Sequence, residues 1–152
     1  MEENRITENK LVLDALTEIE SKEGILRPQD VVKAAQNEDS PLHKHFEWED
    51  SEAAAKYRIW QARQLIASVK VEFLGEDRPA YYNSTVQVES VPVRGYHSLE
   101  KVLNDEELRE KVVIQAVKDL AFVYRKYESL KEIQELINKE KLEEKKQEFG
   151  VS

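Results

Sequence analysis

The stretch SPLHKHFEWED, Ser40 to Asp50, gathers two of the three histidines of the chain, two glutamates, an aspartate and one of two tryptophans. Imidazoles and carboxylates that crowded could hold a metal ion or move a proton. His43, His45 and Glu47 stand at i, i+2 and i+4. On a strand that spacing puts all three on one side, whereas on a helix it sets the two histidines about 200° apart. Ser40-Pro41 favours a helical turn, and zinc wants three or four convergent ligands with outer-shell support. The simpler reading is a connector: Leu42, Phe46 and Trp48 anchor it, and Asp50 or Ser51 caps the helix that follows. No metal site is expected here.

Other reaction chemistry is equally thin. The chain lacks a G-x-S-x-G elbow, a phosphate-cradling glycine loop, an H-E-x-x-H pair and a dinucleotide fingerprint. It has no cysteine, which excludes disulfides, thiolate metal sites and a thiol nucleophile. Its paired carboxylates, as in EWED, GED and NDEEL, are so frequent that each reads as a cap or a solvated face. A non-enzymatic protein without a cofactor is the expectation.

A second group of residues points to binding. The chain carries a net charge of −8, unevenly spread. Residues 1–50 hold 6 basic and 13 acidic side chains (−7), residues 51–97 hold 6 and 5 (+1), and residues 98–152 hold 11 and 13 (−2). An acidic chain repels nucleic acid at long range, so any phosphate contact must come from the middle third. There SEAAAKYRIWQARQLIAS, residues 51–68, reads as a helix with Ala55, Ile59, Ala62 and Ile66 on its buried face. Lys56, Trp60 and Arg63 form one outward row, Tyr57, Gln61 and Gln64 the next, and Arg58 flanks both. Glutamine and arginine are the side chains that reach adenine and guanine edges in pairs of hydrogen bonds.

The elements that would position these residues follow from periodicity. TENKLVLDALTEIESKEG gives a first helix, with Thr7 as its cap, Leu11, Val12, Leu13, Ala15, Leu16 and Ile19 as its stripe, and Gly24 as its end. ILRPQDVVKAAQ gives a second, with Pro28 in the first turn and Val31, Val32, Ala34 and Ala35 buried. After the 51–68 helix the period changes: VKVEFL and AYYNSTVQV read as a hairpin around the turn GEDRP, and SVPVRGYHS as an irregular return. Ser98 caps a short helix, LEKVL, and Asn104 or Asp105 caps another.

This α+β order, mainly helical and running α-α-α-β-β, is that of a winged helix, whose third helix enters the major groove while the hairpin lies on the backbone. Residues 1–97 form that domain. Lys56, Lys70 and Arg78 would meet phosphates of duplex DNA, and Gln61, Arg63 and Gln64 base edges, with Arg58 and Trp60 completing the surface. Against it stand the long connector before the third helix, where a helix-turn-helix uses 3–4 residues, and the acids Glu76 and Asp77 in the wing turn.

Residues 98–152 contain no glycine or proline from about 105 to 147. Leu108, Val113, Val117, Leu120, Tyr124, Tyr127, Leu130, Ile133 and Ile137 recur at steps of three and four, which predicts one long helix, possible coiled coil included. Its exposed stripe, Tyr124, Tyr127, Leu130, Ile133 and Ile137, is the expected surface for a homodimer or a protein partner. No run is apolar enough for a membrane span, and the first residues lack the pattern of a signal peptide, so a cytoplasmic protein is expected.

The run LRPQDVVKAAQNEDSPLHKHFEWEDSEAAAKYRIWQARQLIASVKV, followed by GYHSLEKVLNDEELREKV, resembles a set of small phage- and prophage-encoded proteins of uncharacterised function. The resemblance covers about Leu26 to about Tyr127, and DSPLHKHFEWEDSEAA is its most distinctive part. It implies a mobile-element setting and a small non-enzymatic regulator, and it does not choose between DNA and a protein as the target; regulation of transcription or recombination follows from the binding reading. DNA is the first expectation. The alternative is an adaptor or inhibitor that docks on a recombinase, a replication or transcription component or a host defence factor, through FEWED or the long-helix stripe.

Overall fold

The computed structural model describes residues 1–152, apart from the side chain of Val88. The protein is an α+β chain, mostly helical, with two small antiparallel hairpins. It divides into two compact units, Met1–Leu103 and Asn104–Ser152. No helix among the described residues is long and apolar enough to cross a membrane.

In the first unit, α1 (Glu2–Glu23) begins earlier than its sequence suggests. Thr7 is no cap: its Oγ1 donates to Glu3 O inside the helix at 2.9 Å. Gly24 does end it, at φ 79°, with its N–H on Glu20 O; glycine takes that left-handed conformation without a Cβ penalty. Val12 and Leu16 are buried while Leu11 is exposed. α2 (Pro28–Ala35) starts on its proline, whose fixed φ suits the first helical turn. The connector then makes one 3-10 turn at His43–His45, begun where Ser40 Oγ accepts from Leu42 N. α3 (Glu52–Ser68) is capped by Ser51, whose Oγ accepts from Ala54 N at 3.1 Å.

Leu16, Leu26, Val31, Leu42, Ile66 and Val69 are the largest fully buried side chains and form the centre of this unit's core, with Ala35, Ala62, Ala80 and Tyr81 among them. The expected buried face of α3 shifts by one position at its start: Ala54, Ala62, Leu65 and Ile66 are buried and Ala55 is exposed. Glu20 is buried as well, and its Oε2 accepts from Ser98 N at 2.7 Å. That bond satisfies a backbone donor that burial would otherwise leave without water.

The strands differ from the sequence reading. VKVEF pairs with residues of the supposed turn, giving β1 (Lys70–Phe73) and β2 (Glu76–Pro79) around Leu74-Gly75. AYYNSTVQV and SVPVRGYHS form a second, longer hairpin, β3 (Tyr81–Val88) and β4 (Val91–Ser98), turning at Glu89-Ser90. Both two-residue turns place both central residues at positive φ, 54° and 78° in one and 50° and 67° in the other. Such turns match the twist of the strands they join. The irregular return is therefore a regular strand. Leu26 adds a bridge to its outer edge: Leu26 N–H reaches Tyr96 O at 2.9 Å, and Tyr96 N–H reaches Leu26 O at 2.7 Å.

Tyr81 shows how tightly this hairpin is seated. Its buried hydroxyl lies 3.2 Å from Thr17 Oγ1. Burial pushes its pKa up to about 12; the Thr17 hydrogen bond opposes this and Glu20 adds to it. With the folded value above the roughly 10 of an unfolded tyrosine, the contribution is whole below about pH 10 and is lost as pH rises toward 12. An alkaline absorbance titration is expected to show one of the six tyrosines ionising last. Tyr81→Phe should remove that late step and no other.

The long C-terminal helix is not continuous. After α4 (Leu99–Asn104), with Ser98 Oγ accepting from Lys101 N, the second unit has α5 (Glu106–Tyr127), α6 (Lys131–Leu136) and α7 (Lys139–Glu148). Asp105 caps α5 and Asn138 caps α7. Breaks at Glu128–Leu130 and Ile137-Asn138 turn the chain back, so that Leu142 is buried against Val117 and Ala121, with Tyr124, Ile137, Phe149 and Val151 around them. A straight helix would leave all of these in water, and burial of apolar surface outweighs the missing helical hydrogen bonds.

Candidate nucleic-acid interface

The connector before α3 has backbone groups that need partners, and α3 supplies them. Gln61 Oε1 accepts from Glu47 N at 3.0 Å. Arg58 Nη1 donates to Glu47 O at 3.1 Å and to Glu49 O at 3.0 Å, and its guanidinium lies over the Trp48 ring, 5.4 Å from the centroid. Both side chains, expected on a contact surface, are thus engaged in holding residues 47–49. Trp48 in turn stacks on His43 at 4.9 Å and donates from Nε1 to His43 O at 2.9 Å.

The histidines do not converge. His43 Nδ1 is 2.8 Å from Ala35 O. His45 Nε2 lies 3.7 Å from Glu8 Oε1, which pairs with Lys44 at 2.8 Å. Burial lowers the His45 pKa, with Glu8 pulling the other way. His97 is buried in the β3–β4 hairpin with Nδ1 on Ser84 Oγ. Among the described residues no three His, Asp or Glu side chains gather as a metal site requires. SPLHKHFEWED is an aromatic-pinned connector.

What α3 leaves outward is Lys56, Tyr57, Trp60, Arg63 and Gln64, all exposed. Tyr57 and Trp60 stack with centroids 5.4 Å apart and planes 15° from parallel. Two large aromatic rings about half exposed are a notable expanse of apolar surface on so charged a chain. One turn further on, Arg63 enters an open cleft of about 440 Å³ that it lines with Pro28, Gln29, Asn83, Arg94, Gly95 and Tyr96. Two arginines and two amides line this cleft, and no carboxylate does.

Lys70 is on the first strand, as expected, whereas Arg78 is in a strand and not in the turn, and neither lines the cleft. They sit on β1 and β2, whereas the cleft takes its strand residues from β3 and β4. Arg78 lies within a strand and is paired with Glu76 at 2.8 Å. Arg94 and Asn83 escaped the sequence reading because their segment passed for an irregular return. The signal that could have found them is the alternation from Tyr81 to Val88, matched by an equal run from Val91 to Ser98.

In the second unit, the expected five-residue stripe divides. Tyr124 and Ile137 pack toward Leu142, Ile133 is half-buried, and Tyr127 and Leu130 are exposed. No family model matches the chain, and neither a curated protein nor a solved structure does.

Proposed function

We propose that the chain is a non-enzymatic regulator that binds duplex DNA through a winged-helix-like first unit, in the mobile-element setting its resemblance suggests. What supports it is three helices that precede two hairpins, with Leu26, between the first two helices, bridged to β4 of the second hairpin. The wing is then β3–β4, not β1–β2. Arg63, Gln64 and Lys56 of α3, together with Trp60, face the groove and Arg94 meets a phosphate, while Lys70 and Arg78, on β1–β2, stand outside the cleft. Arg58 and Gln61 act indirectly by fixing the flank of α3.

The observation that carries this reading is the cleft that Arg63 and Arg94 both line and no carboxylate does, on a chain whose net charge is −8. Local concentration of positive charge against the sign of the whole chain is the electrostatic footprint of phosphate recognition. Fluorescence anisotropy of a labelled mixed-sequence duplex tests it. A tenfold or larger loss of affinity between roughly 50 and 200 mM salt is expected from several phosphate contacts. Absence of binding at the lower salt refutes DNA and leaves the adaptor reading, with a protein on the same face.

A further inference from the structure

α5 carries two apolar faces. Val117, Ala121 and Tyr124 pack with Leu142 of α7. The other face holds Val113, Ala116, Leu120, Val123 and Tyr127, and Leu130 follows just past the helix; every one of them is exposed. Within the helix their steps run three, four, three, four, which is the alternation of a coiled-coil seam. Single exposed apolar residues are common on any surface, but a registered row of five along one helix face is more than scatter.

We propose that this face pairs with a second copy of the chain, antiparallel, about a two-fold axis passing beside Ala121 and Phe122. An isologous contact requires a surface that complements itself, and this one does so in one direction. In the antiparallel register Leu120 meets the partner's Val123. Ala116, the smallest seam residue, meets the partner's Tyr127, the largest. Asp119 and Lys126 flank the seam on the side away from α7, and each falls opposite the other's copy, giving two ion pairs of opposite charge. In the free chain these two groups have only short-range company: Asp119 Oδ1 accepts from Gln115 Nε2 at 2.9 Å, and Lys126 Nζ lies 5.2 Å over the Tyr127 ring. A parallel pair would set Ala116 against alanine and Tyr127 against tyrosine, and would bring Asp119 to Tyr124 instead of a base.

The seam within α5 spans roughly 22 Å at 1.5 Å per residue, so a dimer of moderate affinity is expected. The pairing is independent of DNA binding and is tested apart from it, by sedimentation equilibrium of the full chain without DNA. Between about 1 and about 200 µM the mass should rise from 17.7 kDa toward twice that value. Leu120→Glu should weaken association about 100-fold or more, with unchanged circular dichroism because the position is exposed. Asp119→Lys and Lys126→Asp should each weaken it by about 3- to 10-fold, and the double exchange should restore it. A monomer at every concentration, or a dimer indifferent to Leu120→Glu, overturns the pairing. A double exchange no better than its parents overturns the antiparallel register.

Discussion

Arg63→Glu should lower affinity for duplex DNA by at least about 100-fold while leaving the fold unchanged. Two effects add. The variant loses a guanidinium able to make paired hydrogen bonds to a guanine edge or a phosphate, and it places a carboxylate in a cleft that holds none. The stability of the protein should be untouched, because Arg63 is exposed and extends from the outer side of α3. Urea unfolding with an unshifted midpoint checks the second half of the expectation, and anisotropy checks the first. Arg58→Glu is the informative contrast. It removes two hydrogen bonds and the ring contact that hold residues 47–49, so its loss of binding should come with a lowered midpoint. Equal affinity for wild type and Arg63→Glu would remove α3 from the interface.

Gly95→Val should destabilise the first unit by about 3 kcal/mol or more, and Gly95→Ala by about 2 kcal/mol. A Cβ at Gly95 would stand 2.6 Å from Ile25 Cγ1, 2.7 Å from Ile25 Cδ1 and 2.9 Å from Leu26 O. The Ile25 side chain is itself buried, and the Leu26 carbonyl is fixed by the Tyr96 N–H, so neither can withdraw without breaking something else. Glycine is here for closeness, not for a turn. A urea midpoint shift at constant slope is the measurement. A change under about 0.5 kcal/mol, the scale of an ordinary surface substitution, would mean that the 25–26 segment does not lie against β4.

These two positions also mark where the sequence was legible and where it was not. Gly24, Pro28, Ser51, Ser98 and Asp105 were readable because each acts through its nearest neighbours: a left-handed end, a fixed φ, a hydroxyl or carboxylate on a free N–H. Gly95 and Pro92 misled because the same residue types usually punctuate. Pro92 pairs with Gln87 one step from the turn, and Gly95 is packed mid-strand. Glu89-Ser90 carries no Asn or Gly to announce a tight turn, although it takes positive φ twice. The break after Tyr127 was invisible for a different reason. Nothing local forbids the helix there; it ends because folding back covers Leu142, a gain no local window contains. The outward row of α3 was legible as a row, but not that Arg58 and Gln61 are spoken for, since their partners lie 9 to 14 residues away in a loop. Arg94 became part of the candidate site only once its strand was paired.

The bond between Glu20 and Ser98 joins residues 78 apart, and the Leu26–Tyr96 bridge closes nearly as long a loop. Both are needed before the core around Leu16 and Leu26 is sealed. Ordering that much chain ahead of any reward makes the first unit a slow folder for its size. The second unit closes α5 on α7 over a much shorter stretch and faces no such delay. On a ribosome, α1 and α2 can cover much of their apolar faces against the connector and α3, but the Glu20 and Leu26 contacts must wait until β4 has emerged. A fragment ending before Tyr96 would lack both closures, and its first unit should be more open to proteases than that of the full chain.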